Sequence, residues 1–227
     1  MNIAPLGDAA LLITVGDDVI RVRETVALLK QANVEGIREI VPAYSTVAVY
    51  YDPVLWAKNE GTSPFATFVE TINGVLESQR ITLNQSAARE RIIPVCYGGK
   101  FGPDLSDLAA SKNLAADEVI ALHSGATYEV RAIGFSPGFP YLAGLPEALH
   151  VPRRASPRVT VPSGSVAIGG AQAGIYTLDT PGGWHILGRT PIRLFNPVEP
   201  EPALLQVGDK VRFVPITPAE FEEYQKQ

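Results

Sequence analysis

The 227-residue sequence has little sulfur and few histidines: one cysteine, Cys96, one methionine and three histidines. A lone cysteine excludes an internal disulfide and fits a reducing compartment. No apolar run approaches the roughly 20 residues that span a bilayer. The opening MNIAPLGDAALLITV has no positive n-region and sets Asp8 before its only apolar run, so it does not read as a signal peptide. The expectation is a cytoplasmic protein. Basic residues are also in deficit, 19 against 24 acidic ones for a net charge of −5, which removes the broad positive field that nucleic-acid and anionic-membrane binders use. Neither partner is expected. The histidines, His123, His150 and His185, show no metal-ligand spacing, and no metal is expected.

Glycine and proline, in contrast, are plentiful and unevenly placed. Half of the twenty glycines fall between Ile133 and Phe195, interleaved with prolines, paired arginines and short apolar stretches. Glycine opens backbone angles closed to other residues and proline fixes φ, so such a run follows a defined path. Shaped loops on a rigid scaffold are where binding and catalysis concentrate, which makes this run the first place to look for function. It is equally consistent with glycine and proline simply punctuating a small β-barrel.

Residues Ala9 to Val15 read as a strand, and Asp17-Asp18 open a helix through Val19, Val22, Val26 and Leu29. Ile37 to Val41 and Thr46 to Tyr51 read as strands, with Asp52-Pro53 as a turn. Ser63-Pro64 starts a second helix through Phe65, Phe68, Ile72 and Leu76. From Arg80 to Glu90 the chain turns polar and loses periodicity, as a domain boundary does. The expected class is α+β, with an N-terminal α/β domain over residues 1–85 and a β-barrel over 86–227. In the second part, Ile92 to Tyr97 reads as a strand, Asp104 as the cap of a helix through Leu105 and Leu108, and Leu105 to Ser124 as a helix pair. Asp117 and Glu118 make that pair unsuited to a DNA groove. Short strands follow at Tyr128–Ile133, Val159–Val161, Ser165–Ile168, Ile175–Leu178, Trp184–Leu187, Ile192–Phe195 and Lys210–Val214, and Thr217-Pro218-Ala219-Glu220 has capping-box spacing.

Each apparent catalytic motif meets an obstacle. Gly134-Phe135-Ser136-Pro137-Gly138 fits the G-x-S-x-G pattern, but Pro137 has no N–H for an oxyanion hole, so a rigid turn presenting Phe135, Phe139 and Tyr141 is the better reading. Ser163-Gly164-Ser165 resembles an amidase segment without its base, since no lysine lies between Lys112 and Lys210. Gly98-Gly99-Lys100-Phe101-Gly102 lacks P-loop spacing and reads as an ordinary turn. His123 reads as a cap or packing residue. His185, beside Trp184 and after Gly182-Gly183, is the better acid/base candidate. Arg153-Arg154, Arg158, Arg189 and Arg193 suit carboxylates or phosphates, or else the protein's own acids.

The blocks IPVCYGGKFGPDL, ALHS, IGFSPGFPYLAGLP, PRRASPRVTVPSGSVAIGG, GIYTLDTPGGWHILGRTP and GDKVRFVPI, in this order, resemble the 5-oxoprolinase B-subunit family, which includes the kinase inhibitor KipI and proteins labelled allophanate hydrolase subunit 1. The resemblance covers Ile92 to Pro215 and, more loosely, the N-terminal part. It implies a cyclophilin-like fold for the C-terminal barrel. It also implies a non-autonomous component of an ATP-dependent 5-oxoprolinase that opens the lactam of 5-oxoproline to glutamate together with subunits A and C. The KipI branch implies an alternative, inhibition of a sensor histidine kinase. Residue type and position then suggest His185 and Ser163 as catalytic groups. Phe139, Tyr141, Arg153, Arg154, Gln172 and Trp184 are the suggested substrate-binding groups, with ATP as co-substrate.

Overall fold

A computed structural model describes residues 1–57, 63–78 and 89–226, so of the polar boundary read from Arg80 to Glu90 all but its last two residues lie outside the described residues. The chain divides into two compact units, Met1–Ala87 and Ala88–Gln227. No described helix is long and apolar enough to cross a membrane.

In the first unit, β1 (Asn2–Pro5), β2 (Ala10–Thr14), β3 (Ile37–Ala43) and β4 (Thr46–Tyr51) form an antiparallel sheet in the order β1-β2-β4-β3. Period-2 alternation turns Leu11, Ile13, Val47, Val49 and Tyr51 into the core. The helix α1 (Val19–Ala32) starts where Asp18 accepts the Ile20 N–H and stops at Asn33 in the left-handed region. Asp52-Pro53 does more than turn the chain. Asp52 accepts the Val54 N–H and caps a one-turn helix, α2 (Pro53–Trp56), whose Trp56 meets Phe68 of α3 (Pro64–Ser78) edge-on at 5.1 Å.

The second unit opens with β5 (Glu90–Tyr97), the helices α4 (Leu105–Ser111) and α5 (Ala116–Gly125), and β6 (Thr127–Ile133). Then come β7 (Pro140–Ala143), β8 (Arg158–Val161), β9 (Ser165–Gly169), β10 (Gln172–Ile175), β11 (Thr180–Gly182), β12 (His185–Arg189), β13 (Lys210–Pro215) and α6 (Pro218–Tyr224). Seven strands run β6-β13-β5-β12-β9-β10-β7, and β7 pairs back onto β6, closing a barrel. Pairing is antiparallel except between β5 and β13, which run parallel from Lys210↔Glu90 to Pro215↔Val95. Closure removes exposed sheet edges. Ile93, Val95, Val130, Leu142, Val166, Ile168, Ile175 and Leu187 are fully or almost fully buried in the barrel unit's main core. β8 and β11 form a separate two-stranded ribbon.

Two expected strands differ. The strand placed at Ile175–Leu178 runs from Gln172 to Ile175, because Gly170 at φ +63° turns β9 directly into β10. Ile192–Phe195 is not a strand. Pro191 and Pro197 bracket it, and its backbone pairs locally with 202–204 in a loop carrying a single bridge, Phe195↔Ala203. His123 is a packing residue: fully buried, stacked on Phe213, its Nδ1 2.8 Å from the Tyr97 hydroxyl, with burial pushing its pKa down to about 3.

Candidate functional site

Alternate residues of the barrel strands serve two cores. Val166 and Ile168 of β9, Ala173 and Ile175 of β10 and Leu187 of β12 belong to the main core. Their neighbours Ala167 and Ile186 support a second cluster of Phe139, Val161, Tyr176 and Trp184, with Tyr141 packed against it. Phe139 is the centre. Its ring lies edge-on to Tyr141 at 5.0 Å, Tyr176 at 5.3 Å, Phe135 at 5.4 Å and Trp184 at 5.8 Å, an arrangement aromatic quadrupoles favour. Glycines make the seats. A Cβ on Gly174 would come 2.7 Å from Phe139 Cζ, and one on Gly169 would come 3.0 Å from Trp184 Cγ.

Over this cluster opens a cleft of about 190 Å³, lined by Phe135, Phe139, Tyr141, Tyr176 and Trp184 and by Arg153, Arg154, Pro157 and 181–183. The Arg153 guanidinium lies 5.8 Å over the Trp184 ring. No carboxylate among the described residues pairs with it. Burial pushes the Tyr176 phenol up despite the N–H it accepts from Trp184.

Phe135 stands at the mouth with φ +71° and 61% exposure. A phenylalanine in the left-handed region is strained by about 1–2 kcal/mol, and such a conformation persists only where neighbours enforce it. Here Gly134 N–H donates to the Phe139 carbonyl and Phe139 N–H to the Ser136 carbonyl, Ser136 Oγ lies 3.1 Å from Thr177 Oγ1, and Thr177 Oγ1 donates to the Pro137 carbonyl at 2.7 Å. The G-x-S-x-G segment is therefore a locked turn whose serine is hydrogen-bonded and buried.

Asp104 departs from the helix-capping role expected of it. Its side chain caps no helix. It is buried, and Oδ1 accepts from Arg154 Nη1 at 2.9 Å and Arg158 Nη2 at 2.6 Å while Oδ2 accepts the Ile186 N–H at 2.7 Å. Burial alone would raise its pKa. The Arg158 and Ile186 hydrogen bonds and the two guanidinium charges outweigh that and hold it below the usual carboxylate range. Arg154 and Arg158 thus serve the protein's own acid, and the Arg154 N–H donating to Gly183 O at 2.8 Å sets the cleft's rim.

A second cleft, about 500 Å³, lies among Ser163, Thr177–Asp179, Arg189–Arg193, Phe195 and α6. The structure thus brings together Phe139, Tyr141, Arg153, Arg154 and Trp184, and places Ser163 elsewhere. Ser163 Oγ donates to the Thr177 carbonyl at 2.8 Å and its N–H to Asp179 Oδ1 at 2.7 Å. Neither cleft is lined by His185 or Gln172. His185 Nε2–H donates to the Pro152 carbonyl at 3.0 Å, and Gln172 begins β10 opposite Gly169. Tyr176, Phe135 and Asp104 are the residues that sequence reasoning did not assign to the site. Tyr176 and Phe135 carried an aromatic signal, whereas Asp104 carried none, its partners lying 50 to 82 residues away. Among the described residues no group of His, Cys, Asp and Glu could hold a metal ion.

Comparison with known proteins places this architecture. Residues 1–205 match the family model of the carboxyltransferase domain, subdomain C and D. The chain is 37% identical to the 5-oxoprolinase B subunit of Bacillus subtilis (strain 168), covering 100% of this chain and 97% of that one. It is 39% identical to the protein of the same name from Haemophilus influenzae, covering 94% and 97%. The crystal structure of TTHA0988 superimposes with a TM-score of 0.74 at 35% identity, over 91% of this chain and 40% of that chain. With matches that run nearly end to end, the chain belongs to the 5-oxoprolinase B-subunit family, on the carboxyltransferase C and D scaffold.

Proposed function

We infer that this chain is the B component of a 5-oxoprolinase complex, acting in the cytoplasm with subunits A and C to convert 5-oxoproline and ATP to glutamate, ADP and phosphate. The observation that carries this is the 37% identity to a 5-oxoprolinase B subunit over the whole of this chain and 97% of that one. The first cleft suits such a substrate in size and chemistry. Its aromatic walls match the flat lactam ring, and the Arg153 guanidinium offers a fork to the α-carboxylate.

The same residues argue for a shared site. Ser136 and Ser163 have their hydroxyls engaged by neighbours, and burial pushes the Cys96 thiol up, away from a thiolate. In the proposed reaction the lactam oxygen takes the γ-phosphoryl group of ATP and ADP leaves. Water attack at the activated carbon then breaks the C–N bond, and a second water releases phosphate. This chain contributes binding and orientation, and a partner subunit supplies the base that activates water. Combining the chain with subunits A and C, 5-oxoproline and ATP, and measuring glutamate, tests the reading. An unchanged rate when this chain is omitted would refute it.

A further inference from the structure

The second cleft holds two guanidinium groups that no acid among the described residues neutralises. Arg189 Nε donates to the Ser163 carbonyl at 2.7 Å, and Arg193 Nε to the Phe195 carbonyl at 3.0 Å. Each arginine is therefore anchored through Nε, leaving its two terminal nitrogens as a fork. Among the described residues neither forms an ion pair, in a protein with a net charge of −5. Among the described residues lining the cleft the one acid, Asp179, has Oδ1 committed to the Ser163 N–H, and two arginines against this one aspartate leave a formal excess of one positive charge.

We propose that this second cleft binds a phosphate-bearing anion through Arg189 and Arg193. Two forks match a group with three or more anionic oxygens better than a two-oxygen carboxylate. The volume, about 500 Å³ against about 190 Å³ for the first cleft, admits a ligand larger than phosphate alone, and Leu178, Ile192 and Phe195 give it an apolar wall. The phosphate could come from a nucleoside triphosphate or from pyrophosphate. The nucleotide source rests on the ATP-dependent reading above, whereas the anion site does not. The cleft is tied to the first one through the locked turn: Thr177 bonds Ser136 and Pro137, and Phe195 packs against Gly138.

The test is calorimetric titration of the full chain, alone and mixed with subunits A and C, with ATP, pyrophosphate and adenosine, for wild type and for R189Q, R193Q and R153Q, after circular dichroism confirms each fold. Saturable binding of ATP or pyrophosphate that weakens about tenfold or more in R189Q and in R193Q, and is unchanged in R153Q, supports the site. R189K, which keeps charge but loses the fork, should fall between. ATP binding more tightly than pyrophosphate identifies a nucleotide, and equal binding identifies the phosphate groups alone as the ligand. Binding of neither anion, or equal binding by wild type and the R189Q/R193Q double variant, overturns the proposal. Its outcome is separable from that of the 5-oxoprolinase reading. Anion binding without glutamate production leaves the site and removes the activity, and glutamate production by a complex whose B chain binds neither anion does the reverse.

Discussion

Replacing Asp104 by Asn is the sharpest test of how the first cleft is held. The change is nearly isosteric, yet it removes the negative charge that two arginines and one backbone N–H share at 2.6–2.9 Å. Breaking a buried ion pair costs about 3–5 kcal/mol. Here the arginine side chains are 32% and 24% exposed and can partly rehydrate, so about 2–4 kcal/mol is expected. At roughly 2–4 °C per kcal/mol for a protein of this size, the melting temperature falls by roughly 4–16 °C. Thermal and urea unfolding followed by circular dichroism would measure it. The pH dependence adds a second constraint. Asp104's folded pKa is depressed, so its stabilisation is present above the usual carboxylate value of 3.8 and is lost as pH falls through the lower folded value. Wild type and D104N should therefore converge only in strong acid. A variant that melts within a degree of wild type at pH 7 would show that the buried carboxylate does not anchor the arginine loop.

His123 titrates in the same direction over a different window. With a folded value of about 3 against 6.5 unfolded, wild-type stability should drop by about 1.4 kcal/mol per pH unit from pH 6.5 down toward 3, and H123F should abolish that slope in pH-resolved urea unfolding. At Phe135, glycine should be at least as stable as alanine, the reverse of an ordinary loop position, because φ is +71°; melting temperatures of F135G and F135A compare them directly. Gly174→Ala should cost about 1–3 kcal/mol and change the near-UV circular dichroism, since the added methyl group meets Phe139 at 2.7 Å. Arg153→Gln should raise KM for 5-oxoproline in the reconstituted complex about tenfold or more with less effect on kcat, and an unchanged KM would exclude Arg153 as the carboxylate anchor.

Local rules reached far into this fold. Thr46–Tyr51 was legible because its alternation matches a half-buried strand, and Thr217 because Glu220 at N3 completes a capping box. Asn2–Pro5 and Pro140–Ala143 were not, being four residues long with prolines at their ends. The first cleft was half legible. Phe139, Tyr141, Arg153, Arg154 and Trp184 share a residue chemistry that points to one pocket. His185 was drawn in by adjacency to Trp184, but it opens β12 just after that residue and its ring is held by the Pro152 carbonyl, outside the cleft lining. Ser163 was drawn in by a motif, and its neighbours are set by Thr177 and Asp179, which no spacing rule connects to it.

The double use of β9 and β10 carries a consequence for how the sequence can change. Their odd and even positions serve the barrel interior and the aromatic cluster respectively or in reverse, so inserting or deleting one residue there would exchange the two sets: Ile168 would take the seat of Gly169 under the indole, and a glycine would enter the core. Point substitutions in the cleft can be tolerated while the barrel keeps its packing, but single-residue length changes in these strands damage both layers together. Length variation among relatives should therefore gather in the loop after Arg189, where 190–209 runs outside the barrel strands, and a deletion scan would find the hairpin at Gly170 far less forgiving than that loop.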